Sequence, residues 1–212
     1  VKVAEVKRLA EKYMAPIPAS DPPKPVNLVE PPQTGERRVY TQKEVPSPHL
    51  MIGYHTPEAK SKDFYPLSIL SSVLSSGNSS RLHSELVDKK QLASMVGTDF
   101  SESFDPNLFM IYALAAKDVK ESDIESAVYA EIEKIKKDGI TGQELQKIKN
   151  QKLMEFYRQL ETINGKSNNI GTYERFFGDY RKMFDAPSEF SKVSVEDVKR
   201  VANEYFKKSN RT

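Results

Sequence analysis

The 212-residue chain has no cysteine, no tryptophan, three histidines and nine glycines, and its 32 Lys and Arg nearly cancel 30 Asp and Glu to leave +2. The missing cysteines exclude disulfides, thiolate nucleophiles and every metal site built on sulfur. They leave oxidising and reducing compartments equally open. The balanced, interspersed charge lacks the basic footprint of a DNA or RNA binder, so no nucleic-acid partner is expected. No apolar run approaches the roughly 20 residues of a membrane-spanning helix. The opening VKVAEVKRLAEKY lacks the organisation of a signal peptide, although the chain can still be a fragment cut from an exported protein. What is present, 38% hydrophobic and 29% charged residues, suffices for one well-buried core, or for one domain plus an extension.

Val3, Val6, Leu9, Ala10 and Tyr13 recur at helical spacing, and Pro16 and Pro18 stop them. From Asp21 to Gln33 five prolines favour extended chain, a surface-crossing linker or a disordered tail. Arg37 to Lys43 and Leu50 to His55 read as strands, separated by Pro46 and Pro48. Phe64, Leu67, Leu70, Val73 and Leu74 share a helical face with Pro66 in the first turn. Gly77 supplies a left-handed stop, Ser79 or Ser80 can cap the next helix, and Leu82 and Leu86 form its apolar face. Leu92 to Phe100 and Leu108 to Ala116 predict an antiparallel hairpin around Pro106. Beyond Lys117 the period is helical. Ile124, Val128, Ile132 and Ile135 make a stripe closed by Gly139. Thr141 to Glu144 is a capping box before a long helix holding Leu145, Ile148, Phe156 and Leu160, with Lys147 and Lys152 on its solvated side. Asn164 to Asn169 reads as a polar break and Ile170 to Phe177 as another helical piece. Ser194 to Asp197 caps a last helix with Val195, Val198, Val201, Ala202 and Tyr205 inward. Strands early and helices late predict α+β: a mostly antiparallel sheet of about four or more strands under a layer of helices.

Chemistry is sparse. His55-Thr-Pro-Glu58 has the first spacing of an H-x-x-E-H zinc motif, but the fifth position is Ala59 and Pro57 interrupts the helix the motif needs. His83 and Glu85 are two apart, so they point to different helix faces. His49 lies at a strand start. No G-x-S-x-G, G-x-x-x-x-G-K-[ST] or G-x-G-x-x-G pattern occurs. Ser76-Gly77-Asn78-Ser79 lies between two helices without a following lysine, which favours a cap over a phosphate loop. Carboxylates sit mainly in helix first turns and lysine-paired faces. The residues alone describe a soluble α+β domain without a visible active site.

Gly77-Asn-Ser-Ser-Arg-Leu82, after an apolar helix and before a helix and two strands, resembles the G-x-x-S-S-R-L stretch of the insulinase/pitrilysin family of inverted zincins, which includes the mitochondrial processing peptidase. Ile52-Gly-Tyr-His-Thr-Pro57 is similar to that family's strand before its first long helix. Ser194-Val-Glu-Asp-Val-Lys-Arg-Val-Ala202 is similar to its terminal helix, and Val6 to Tyr13 with Ile17-Pro18 resembles the exit from its preceding domain. The order of these pieces covers nearly the whole chain. Gly77, Ser79, Ser80, Arg81 and Leu82 are the motif residues, and the resemblance gives them a structural role.

The resemblance implies repeated α+β domains around a closed chamber, in which a zinc domain carries H-x-x-E-H. This chain lacks that motif, so it resembles a companion domain, with no metal or catalytic residue of its own and zinc in the parent protein or a partner. Residues 1–36 would then be a helix and Pro-rich linker carried from the preceding domain. Residues 37–212 would be the companion domain, missing its last strand. Companion domains of the opposite half often hold an Arg and a Tyr that grip substrate near the zinc; those positions fall on Val87 and Ser94, so no substrate-binding residue carries over. A valine cannot donate to an oxyanion, and a serine is too short to replace a phenol. Two assignments follow: the second domain of a zinc endopeptidase, contributing chamber wall and dimer surface, which is preferred, or a non-enzymatic scaffold subunit. A binding module unrelated to this family is a third. The expected partners are a zinc-carrying domain or subunit, peptide substrates and a second copy. The family's work on exported or imported peptides points to a periplasmic or other extracytoplasmic site.

Overall fold

The computed structural model describes residues 2–21, 23–24 and 29–212. Part of the proline-rich stretch, at 22 and 25–28, lies outside the described residues. Two units separate at Pro32/Gln33. In the first, helix α1 (Val3–Tyr13) forms as its apolar spacing predicts, and Val3, Val6, Leu9 and Tyr13 are exposed.

The second unit is built on a three-stranded antiparallel sheet, β1 (His49–Thr56), β2 (Ala93–Asp99) and β3 (Asn107–Ala115), in the order β1-β3-β2. Ile52 and Tyr54, Ala93 and Val96, and Phe109, Ile111, Ala113 and Ala115 alternate onto one face and are buried. That face is covered by α2 (Phe64–Ser75), α3 (Glu121–Asp138) and α7 (Val195–Tyr205). The helices bury Leu67, Leu70, Val73 and Leu74, then Ile124, Val128, Ile132 and Ile135, then Val198, Val201 and Ala202. These are the residues that the helical spacing selects. Thr141 and Ser194 both complete capping boxes, with Glu144 and Asp197, as their sequences predict. Asp63, buried before α2, accepts hydrogen bonds from Arg200 and the Tyr205 hydroxyl, both at 2.7 Å, and so ties α2 to α7.

Two expectations fail. Arg37 to Lys43 is not a strand, and among the described residues the sheet has three strands rather than four. The outer edge of β1 is instead taken by Arg211 and Thr212: Gly53 and Thr212 exchange both backbone hydrogen bonds, at 2.9 and 3.0 Å. Arg37 reaches only the Arg211 carbonyl, at 3.1 Å, while Glu36 pairs with Arg211 at 2.6 Å and Arg38 with Glu125. The Asn164 to Asn169 break is also wrong. The long helix α4 (Gly142–Glu161) ends at Thr162, whose hydroxyl accepts from the Gly165 amide and caps α5 (Ile163–Thr172). The corner is tight, because a Cβ on Gly165 would lie 1.9 Å from the Gln159 carbonyl oxygen. A π-wound turn Tyr173–Phe177 and α6 (Ala186–Lys192) follow. Phe64, Tyr173, Phe177 and Met183 form a second small core there.

Candidate functional site

Gly77 ends α2 at φ +77°, a conformation open to glycine at no steric cost. The following turn is closed by the Ser80 amide on the Gly77 carbonyl at 3.0 Å. Neither serine caps the next helix through its hydroxyl, contrary to expectation. Ser79 accepts instead from Lys147 at 3.0 Å, which gives that lysine a partner across the fold, and Ser80 is buried with its hydroxyl unbonded among the described residues. The junction is held by Arg81. Its Nε and one terminal nitrogen donate to the two carboxylate oxygens of Glu144, at 2.7 and 2.8 Å, and the same nitrogen reaches the Gly139 carbonyl at 3.3 Å. Glu144 accepts from the Thr141 amide as well. The Arg81 fork is the main reason its carboxyl is held down to about 2, against the opposing effect of burial. Leu82 is fully buried beneath. Arg81 thus fastens the start of one helix to the turn between α3 and α4. The capping-box pattern announced Glu144, but nothing local announced the arginine 63 positions away.

A π-wound helix, His83–Lys89, follows. Val87 is half-buried on it and packs against the main core, whereas Ser94 is exposed on β2 with its hydroxyl 3.4 Å from the Leu114 carbonyl. His49 opens β1 and is exposed, His55 lies near the end of the same strand, and His83 Nδ1 is 3.4 Å from Asp88. Among the described residues no three His, Asp or Glu side chains gather where they could hold a metal ion. The donor set of the described residues therefore does not fit a zinc site.

Two hollows open in the second unit. The first, about 420 Å³, runs beside β2 and is lined by Ser71, Ser75, Gly77, Gly97, Thr98 and Tyr112 among others. The Ser71 and Ser75 hydroxyls bond the Thr98 hydroxyl, and the Thr98 amide donates to Ser75 Oγ at 3.1 Å rather than to β3. By the alternation of an antiparallel ladder, the Val96 amide and carbonyl also face away from β3. Tyr112 lies across Gly97, where an added Cβ would meet its ring at 2.3 Å. The second hollow, about 560 Å³, opens between α2, α4, α5 and α6.

The other face of the sheet carries no helix from the second unit. It presents Met51 and Met95, 65% and 51% exposed, with Leu108, Met110, Tyr112 and Leu114. Among the described residues the second unit is thus an α+β domain with a one-sided helix layer and an apolar sheet face left exposed on the other side.

Comparison with known proteins is specific about the family. The profile described as Peptidase M16 inactive domain matches residues 1–152. The zinc protease PqqE of Helicobacter pylori is 35% identical over 186 residues, covering 87% of this chain and 42% of that protein. The uncharacterized zinc protease YmxG of Bacillus subtilis is 26% identical over 178 residues, covering 84% and 43%. A crystal structure of a protease from Helicobacter pylori superposes with a TM-score of 0.91 at 32% identity, over all of this chain and 51% of that one. The chain belongs to the M16 peptidase inactive-domain family. It spans about half the length, or less, of these relatives.

Proposed function

We propose that this domain is the non-catalytic companion of a zinc-dependent endopeptidase, forming chamber wall and dimer surface and holding peptide substrates. One observation carries the reading: the sheet is completed on one face and one edge only. β3 reads NLFMIYALA, apolar at every position after Asn107, which is the pattern of a strand covered on both faces. Helices of the second unit cover one face; Met51, Met95 and Leu108 lie exposed on the other. A methionine-rich surface adapts to a partner, and the zinc-carrying domain of the parent protein is the partner the family implies. On the outer edge of β2, beside the serine-lined groove, the Thr98 amide is held by Ser75 Oγ, and the outward Val96 amide and carbonyl are the backbone groups to which an extended peptide adds as a strand. Zinc belongs to the parent or partner in this reading, and the chain alone cleaves nothing.

Fluorescence anisotropy with a labelled extended peptide tests the edge. Binding is expected to be abolished by N-methylation of alternate residues in one register and unaffected in the other, because only one set of amides faces β2. Equal sensitivity in both registers, or no binding, would remove the substrate-holding role and leave the non-enzymatic scaffold reading.

A further inference from the structure

We propose that the larger hollow receives a bulky apolar side chain of a peptide lying along the outer edge of β2; this rests on the reading of that edge given above. The two hollows are neighbours that share Lys152 and Glu155 of α4 in their linings. A strand leaving the serine-lined groove over these two residues would bring its next side chain to the larger space. Its interior is aromatic: Phe64 and Tyr173 are buried in it, and Phe156 and Phe190 are half-buried around it. Its volume of about 560 Å³ is that of a ligand pocket and accommodates a phenyl or branched aliphatic group together with flanking backbone.

Five carboxamides, Gln146, Asn150, Gln159, Asn168 and Asn169, also line it. Gln146 donates to Asn150 Oδ1 at 2.9 Å, and Asn169 donates to Gln159 Oε1 at 3.1 Å and to the Gly165 carbonyl at 2.9 Å. So fixed, Asn150 keeps its NH2 as a donor and Asn169 its Oδ1 as an acceptor, the pair of functions a peptide group requires. The lysines do not select an anion: Lys149 donates to the Ser191 carbonyl at 2.7 Å, and Lys152 faces Glu155 at 4.0 Å. Glu102, the other lining carboxylate, disfavours an acidic residue, so rings inside and amides around them describe a subsite for a large apolar residue of a peptide.

The test uses the edge-binding assay with a neutral host peptide carrying Phe or Ala at each position in turn. At one position Phe is expected to bind about tenfold more tightly than Ala. Asn168→Trp, which substitutes an exposed residue of the lining, should reduce that ratio to about one while leaving the Ala peptide unchanged; Ser191→Trp, at another exposed lining residue, is the second plug should the first fail to fold. Register-dependent binding with no Phe preference anywhere, or a preference that persists in the plugged variants, would overturn the subsite and spare the edge. Loss of register dependence itself would overturn both.

Discussion

Replacing Arg81 by methionine keeps an unbranched apolar stem and removes the fork. Hydrogen bonds to charged groups contribute about 1.5–3 kcal/mol when protected, and exposed ion pairs about 0–1 kcal/mol. With the two side chains 20% and 28% exposed, this pair falls between. Linkage gives an upper bound on the same quantity, because the Thr141 amide and hydroxyl also lower the Glu144 carboxyl. A carboxyl held at about 2 instead of its ordinary 4.5 corresponds to about 3 kcal/mol of stabilisation, which screening at a partly exposed pair reduces to about 2 kcal/mol. The sign follows from the depressed folded value: the contribution is complete above pH 4.5 and is lost as pH falls from there to about 2. Urea unfolding followed by circular dichroism, suited to a chain without tryptophan, should therefore place Arg81→Met about 2 kcal/mol below the parent at pH 7. The gap should shrink steadily at pH 4 and 3. A thermal midpoint lower by about 4–8 °C is the parallel readout at this domain size. A pH 7 difference under about 0.5 kcal/mol, or a gap at pH 3 as large as at pH 7, would refute the assignment of Arg81 as the fastening.

Gly165→Ala should lower stability by roughly 2–3 kcal/mol, because a Cβ meets backbone oxygen at 1.9 Å and the α4–α5 corner must open; an unchanged melting temperature would show the corner yields freely. The double change Met51→Lys and Met95→Lys should abolish any self-association of the isolated chain in sedimentation velocity without altering its fold. Persistence of the same oligomer would move the dimer surface elsewhere.

The legible parts of this fold were local. Thr141 with Glu144 and Ser194 with Asp197 declare helix starts because the capping box closes within three residues, and the apolar stripes of α2, α3 and α7 name their own buried faces. Arg37 to Lys43 misled because β-propensity carries no knowledge of which segment wins a sheet edge, and Arg211 and Thr212 win it. Asn164 to Asn169 misled because polar residues permit a break without requiring one. Thr162 supplies the cap, and Asn169 bonds back to Gly165 and Gln159. The Arg81 fork and both hollows depend on residues brought together from several helices, which no spacing encodes. The unbroken apolar run of β3 was visible throughout, and its second face acquired meaning only once the helices were found on the first.

The fastening of Gln33 and Glu36 to Arg211, through a carbonyl at 2.7 Å and an ion pair at 2.6 Å, staples together two segments 178 and 175 positions apart in the chain. The rim of β1 is thus secured by side chains from the stretch before it and the stretch after α7, and a change that loosens either segment is felt by the other.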